Sequence, residues 1–364
     1  MPDAIWIDRS DELPALAAAL ATRPWIALDT EFLRERTFFA RLCLLQIATH
    51  DRIWCIDTLR VHDIQALVPA LCAAATRKVI HAARQDLEVI HLHSRCVVAP
   101  VFDTQVAAGC IGLKPQIGYA ELAQVLLGVT VPKGQTRTDW SRRPLSAAQL
   151  HYAAEDVLYL GEIADRLTQR LRELGREAWV LEDCRALSDP ALYEADPARA
   201  WERVRGLAQL QPSARQRARA LSAWREREAR ARDLPRPWIL TDAGILDAAH
   251  DNPPDVQALR QRLRLPEDYP DALAAGALEA LQAASGPDPD DMQPSRDLRP
   301  TAEQKSLLDR LARQVDALAG ELGISAEILA PRGELKALAQ GERDTACLHG
   351  WRREVVGAGL LASL

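Results

Sequence analysis

Four carboxylates and one tyrosine have a spacing that would let them converge although they are far apart in the chain. Asp29 and Glu31 lie two residues apart in WIALDTEF. In a β-strand residues i and i+2 point to the same face, so both acids can serve one site. Asp86 follows His81 by five residues, at the start of an apolar-periodic helix entered from a strand over 78–81. Tyr152 and Asp156 are four apart in HYAAEDVLYL, and are therefore neighbours on one helix face. Carboxylates drawn together cannot all stay ionised without a counter-charge. Hard oxygen donors suit Mg²⁺ or Mn²⁺. Two such ions roughly 3.5–4 Å apart would clamp the attacking and leaving oxygens of a phosphodiester displacement. One would help to deprotonate a water and the other would stabilise the leaving 3′-oxygen. Tyr152 would orient that water; an ordinary pKa near ~10 makes it a poor bulk base. Each piece alone has a plainer explanation: a loop-capping pair, a first-turn acid favoured by the helix dipole, an amphipathic edge. Their combination on separate elements carries the reading.

The elements that must hold these groups follow from periodicity. Trp25–Asp29 is a short apolar strand, and Leu42–Ala48 and Ile53–Ile56 flank a Thr-His-Asp-Arg turn. Three strands with such short links predict an antiparallel meander. A helix over 64–75, a strand over 78–81, a helix over 84–93, a strand over 97–102 and a helix from Asp103 follow. This order predicts a mixed sheet flanked by helices, an α/β domain spanning 1–175. Ser146–Leu174 reads as one strong helix with Ser146 as its N-cap. Residues 176–210 read as a helical connector, 211–286 and 299–364 as helical blocks, and 287–298, rich in Pro and Asp, as a linker. Ile239-Leu240 with Leu246 recurs 89 residues later as Ile328-Leu329 with Leu335, which suggests a duplication.

Composition bounds the rest. The chain has 364 residues, 48% hydrophobic and 26% charged, with a net charge of −6. That length predicts two or three domains, and the apolar share excludes a disordered chain. No 18-residue apolar run exists, and the acidic start, Met1–Leu13, lacks the features of an export signal. A cytoplasmic protein without a membrane segment is the expectation. Seven cysteines without a C-x-x-C pair argue against a zinc cluster or a disulfide framework. The net charge speaks against a nucleic-acid partner, but it hides a local excess. Residues 199–236 hold eleven arginines against four acids, and such a patch can still contact phosphate, since screening keeps these interactions local.

ALDTEFLRERTF (27–38), HAARQDLEVI (81–90), FDTQVAA (102–108) and HYAAEDVLYL (151–160) resemble the three exonuclease motifs of the DEDD superfamily, and Tyr152 matches its tyrosine subclass. KGQTRTDWSRRPL (133–145) resembles the ribonuclease D family more narrowly, and the two helical blocks resemble paired HRDC domains. The resemblance covers almost the whole chain. It implies an RNase H-like α/β exonuclease domain followed by two all-α HRDC domains, and removal of 5′-mononucleotides one at a time from RNA 3′ ends. It implies two divalent ions held by Asp29, Glu31, Asp86 and Asp156, with Tyr152 orienting the nucleophile. A monomer acting on tRNA precursors with 3′ trailers is the expected form and substrate. Asp103 and His81 are expected to support the site rather than bind metal. Glu31 can also accept a hydrogen bond from the terminal 3′-hydroxyl, and Phe32 and Phe38 could stack on terminal bases. Lys133, Arg137, Arg142 and Arg143 around Trp140 would form a phosphate-tracking wall, and residues 199–236 a distal contact surface. Two other readings stand beside this one: an exonuclease acting mainly on DNA, and an inactive RNA-binding scaffold.

Overall fold

The structure, a computed structural model, describes residues 4–132, 134, 135, 138–284 and 300–364. Lys133, Arg137 and the expected linker at 287–298 lie outside the described residues. Six strands form one mixed sheet in the order β1-β4-β3-β2-β5-β6: β1 Ile5–Ile7, β2 Trp25–Leu33, β3 Arg41–Ala48, β4 Ile53–Ile56, β5 Arg77–Ile80 and β6 Val101–Asp103. The expected antiparallel meander is β2-β3-β4, and β1, β5 and β6 add parallel edges. Strand β1 was not legible beforehand, because three residues in a charged stretch carry no periodicity.

Helices α1 (Leu13–Leu20), α2 (Val68–Leu71), α3 (Arg84–Ser94), α4 (Thr104–Cys110), α5 (Tyr119–Leu127), α6 (Ala147–Leu158), α7 (Leu160–Glu173) and α8 (Glu177–Ala186) cover and extend the sheet. The helix expected over 64–75 is a 3₁₀ turn, Gln65–Leu67, followed by the one-turn α2. Pro69, which has no N–H to give, is tolerated only near a helix start. The strand expected over 97–102 shrinks to Val101–Asp103 behind Pro100. The single helix expected over 146–174 is two. In an unbroken helix the Tyr159 N–H would bond the Glu155 carbonyl. Instead the Tyr119 hydroxyl lies between them, accepting from Tyr159 N at 3.2 Å and donating to Glu155 O at 2.7 Å. A side chain inserted in the ladder is a recognised cause of a helix break.

Beyond Asp189, 3₁₀ turns lead into α9 (Pro212–Arg232), α10 (Arg236–Ile239), α11 (Asp242–Asp251), α12 (Val256–Leu263) and α13 (Asp271–Ala283). The second block holds α14 (Ala302–Leu322), α15 (Ala326–Leu329), α16 (Arg332–Ala339), α17 (Gly350–Arg352) and α18 (Ala358–Ala362). The blocks have separate hydrophobic cores, one around Leu221, Ile245 and Leu273 and one around Leu311, Leu329 and Leu335. They repeat one another at a spacing of 90 residues rather than 89. Helices α9 and α14 both run 21 residues and end on left-handed caps, Asp233 and Gly323; α10 and α15 both run four. The buried Ile239 therefore matches Leu329, Ile245 matches Leu335, and Trp238 matches Ile328. Pairing the Ile-Leu dipeptides by residue type slips the register by one; burial sets it.

Both blocks dock on the α/β domain. In the first, Asp233 Oδ1 accepts the Phe39 N–H at 2.9 Å. In the second, Trp351 stacks on Trp179 with ring centroids 4.2 Å apart, and Arg352 pairs with Asp183 at 2.6 Å. Arg176 donates to Cys110 O at 2.9 Å and to Leu322 O at 2.6 Å, joining α4 to the end of α14.

Candidate active site

Strand β2 runs through both of the first two acids. Asp29 pairs across the ladder with Gln46 and Glu31 with Leu44, and the register shifts just after Glu31. Strand β5 pairs only with Trp25–Ala27. The edge of β2 beyond Leu28 is therefore open to α3, the helix that follows β5 and carries Asp86 in its first turn. Asp86 is 7% exposed and accepts the Thr30 hydroxyl at 2.5 Å. Asp156 arrives from α6, one turn before the break made by Tyr119.

Carboxylate oxygens of Asp29, Glu31 and Asp156 all lie within 4.8 Å of one another. Asp86 stands beside them, close enough for its charge to act on all three. Burial, then mutual repulsion, pushes Asp29 well above the ordinary carboxylate range. The same causes push Glu31 to about 9. Burial raises Asp86 to about 7 against the opposing hydrogen bond from Thr30. Asp156 is likewise raised by burial to about 7, although a hydrogen bond with the Tyr152 side chain pulls the other way. One cause is shared: several carboxylates are held together in a poorly solvated place. The donor set is all oxygen, so the cluster fits hard divalent ions. Gln46, across from Asp29, is fully buried, and its amide atoms have no hydrogen-bond partner among the described residues.

Several residues hold these groups in place. Asp103 caps α4 by accepting from Gln105 N, and it also accepts from Ala82 N at 3.0 Å and Ala83 N at 2.8 Å, which fixes the turn that starts α3. His81 lies between the Thr104 hydroxyl at 2.9 Å and the Ile117 carbonyl at 3.0 Å, and burial lowers its pKa. Both residues support the site without joining the carboxylate cluster. Tyr152 packs at the edge of the small core formed by Cys43, Leu44, Cys55, Trp140 and Ala153.

The expected substrate contacts divide. Trp140 is 2% exposed and packs beside Tyr152, ring centroids 6.1 Å apart. It cannot offer a face to RNA, and that expectation is corrected: it anchors the loop before α6. Arg143 is also withdrawn from the expected wall, since it grips the buried Asp57 through two 2.7 Å contacts and donates to Cys43 O. Arg142 remains exposed, 3.5 Å from Asp139. Phe32 is half-buried against the sheet core, with Arg34 over its ring. Phe38 lies farther off, against the first helical block, with Arg236 4.5 Å and Arg230 5.8 Å from its ring centroid. Sequence reasoning missed Thr30, Tyr119 and Asp57. Thr30 alone had a local signal, its place between the two acids; the others act through partners 36 or more residues away.

A family model described as 3′-5′ exonuclease matches residues 4–172, and one described as HRDC domain matches residues 214–266. Over 99% of its length the chain is 37% identical to Ribonuclease D of Granulibacter bethesdensis, covering 92% of that protein. It is 38% identical to Ribonuclease D of Xanthomonas oryzae pv. oryzae, again over 99% of this chain and 98% of that one. Among solved structures, Escherichia coli RNase D, described as an exoribonuclease involved in structured RNA processing, superposes with a TM-score of 0.90. That alignment covers 100% of this chain and 98% of the other at 28% identity.

Proposed function

From the premise that this chain belongs to the ribonuclease D family, we propose that it is a 3′–5′ exoribonuclease whose chemistry is performed by Asp29, Glu31, Asp86, Tyr152 and Asp156. The observation that carries the reading is the meeting of Asp29, Glu31 and Asp156 oxygens within 4.8 Å, with Asp86 beside them. Asp29, Glu31, Asp86 and Asp156 would hold two Mg²⁺ or Mn²⁺ ions. Those ions would supply an activated water and neutralise charge on the scissile phosphate.

The chain's own residues do the rest. Glu31 accepts a hydrogen bond from the terminal 3′-hydroxyl, which selects a free end. Tyr152, in the tyrosine-subclass position, is hydrogen-bonded to Asp156. The same hydroxyl can reach a water lined up on the last phosphodiester, which makes Tyr152 an orienting group. Cleavage there releases a 5′-mononucleotide and exposes the next 3′ end. Phe32, read as a contact to the terminal base, sits where the register of β2 shifts just after Glu31.

We read 1–175 as the exonuclease domain, 176–210 as a connector, 211–286 as the HRDC domain, 287–298 as a linker and 299–364 as a second HRDC domain. The 90-residue repeat of helix lengths and caps supports the last assignment. The substrate is read as tRNA precursors with 3′ trailers and the protein as a cytoplasmic monomer. All seven cysteines are free, which suits a reducing compartment. The test is hydrolysis of matched RNA and DNA oligomers with Mg²⁺ or Mn²⁺. Mononucleotides released stepwise from RNA 3′ ends are expected. Preference for DNA, or no hydrolysis of either, would replace this reading with one of the two alternatives.

A further inference from the structure

We propose that Gln46 is a positioning residue for the carboxylate cluster: its side-chain amide donates to Asp29 and fixes how that carboxylate is presented to a divalent ion. This rests on the reading of Asp29, Glu31, Asp86 and Asp156 as metal-holding acids, and adds a neutral group behind them. Register places the residue. Gln46 on β3 stands directly across from Asp29 on β2 and from Cys55 on β4. Side chains opposite one another in an antiparallel ladder share a face, with Cβ atoms about 4.5–5.5 Å apart. Leu44, two residues earlier on the same face, stands across from Glu31. Leu44 and Cys55 pack with Ala153, which follows Tyr152 in α6 and lies one helical turn before Asp156. Gln46 is therefore enclosed between the sheet and the helix that carries Tyr152 and Asp156.

Burial supplies the second observation. Gln46 is 0% exposed, and neither Nε2 nor Oε1 has a hydrogen-bond partner among the described residues. Every other residue of β3 after Arg41 is apolar, so the strand's one buried amide stands opposite Asp29. A primary amide carries two N–H donors and an acceptor oxygen, and leaving them unpaired in a core is costly. Two of the other acids already have side-chain partners of this kind: Asp86 accepts the Thr30 hydroxyl, and Asp156 is hydrogen-bonded to Tyr152. Gln46 is the corresponding group for Asp29. Its neutrality matters, because an ammonium in its place would repel the divalent ions, whereas an amide orients a carboxylate without adding charge. On its other side, burial pushes the Cys55 thiol up to about 12. That thiol keeps its proton and is a weak donor, which suits the amide oxygen and leaves the NH₂ group to Asp29.

The test uses the full chain and Mn²⁺ alone, with affinity read by titration calorimetry without RNA. Gln46→Met keeps the length of the side chain and removes the amide. The metal-free variant should melt no lower than the parent, since an unpaired buried amide gives way to an apolar group. Its Mn²⁺ affinity should nevertheless fall about 10–100-fold. A packing role would give the opposite pair of results, a lower melting temperature with unchanged affinity, and would overturn the proposal. Gln46→Leu is measured alongside, so that a folding defect in one variant does not decide the outcome. In an Asp29→Asn background, Gln46→Met should change Mn²⁺ affinity by less than about twofold, because the residue it acts through is already altered. A full further loss there overturns the proposal too. RNA hydrolysis by the unsubstituted chain is followed in parallel. Its absence would overturn the exoribonuclease reading, whereas hydrolysis with unchanged Mn²⁺ affinity in Gln46→Met overturns the positioning role alone.

Discussion

The Thr30 hydroxyl donates to the Asp86 carboxylate at 2.5 Å, tying the strand that carries Asp29 and Glu31 to the helix that starts beside it. The bond spans 56 residues of sequence and is buried. It turns Asp86 toward the other acids and offsets part of the cost of its charge. Thr30→Val keeps the shape and removes the donor. The divalent-ion concentration for half-maximal RNA hydrolysis should rise about 10–100-fold, the usual cost of losing a group that orients a ligand. An unchanged metal dependence would show that Thr30 serves packing alone.

Crowded carboxylates also predict how stability depends on pH. Glu31 is raised to about 9 and Asp86 and Asp156 to about 7, all above the unfolded range near ~4. The folded chain therefore binds more protons than the unfolded one across this window. Its stability is greatest below the unfolded values and is lost as pH rises through the folded ones. Melting of the chelator-treated protein should drop between pH 5 and pH 8, and Mg²⁺ or Mn²⁺ at pH 8 should restore it by mass action. Asp29→Asn should flatten the pH dependence and abolish hydrolysis. A flat profile for the native chain would contradict the cluster's electrostatics.

Trp140 separates an anchor from a substrate wall. Trp140→Ala should cost about 3–5 kcal/mol of stability in urea unfolding, as for other large-to-small core changes. Trp140→Phe should retain the native KM for RNA, because the indole is not on the surface. A large rise in KM with unchanged stability would restore the wall.

Phe38 tests the seam between the exonuclease domain and the first helical block. Its ring lies under Arg236 while Asp233 holds the next residue's N–H. Phe38→Ala should destabilise that junction by about 1–2 kcal/mol, given its partial burial. Faster proteolysis between α8 and α9 would report it. A protease pattern like the parent's would mean that the blocks are held by other contacts.

The placement of the candidate site was legible in local sequence because it depends on residue type and spacing. Asp29 and Glu31 share a strand face, Tyr152 and Asp156 share a helix face, and Asp86 opens a helix, as their spacing required. The antiparallel meander and the helix that carries Asp86 were legible for the same reason. Only the tertiary structure decided what depends on partners remote in the chain. Tyr119 breaks the helix after Asp156 by taking the hydrogen bonds of that turn, and no helical periodicity records an insertion from another element. Trp140 and Arg143 lie in a basic, aromatic stretch that resembles a phosphate-binding wall, yet one is buried and the other is spent on Asp57. The repeat spacing is 90 because burial, not residue identity, defines equivalent positions, and that register is what pairs the exposed Trp238 with the docked Ile328. Spacing along one element fixes which side chains share a face; which faces meet is settled by burial and by hydrogen bonds that span the fold.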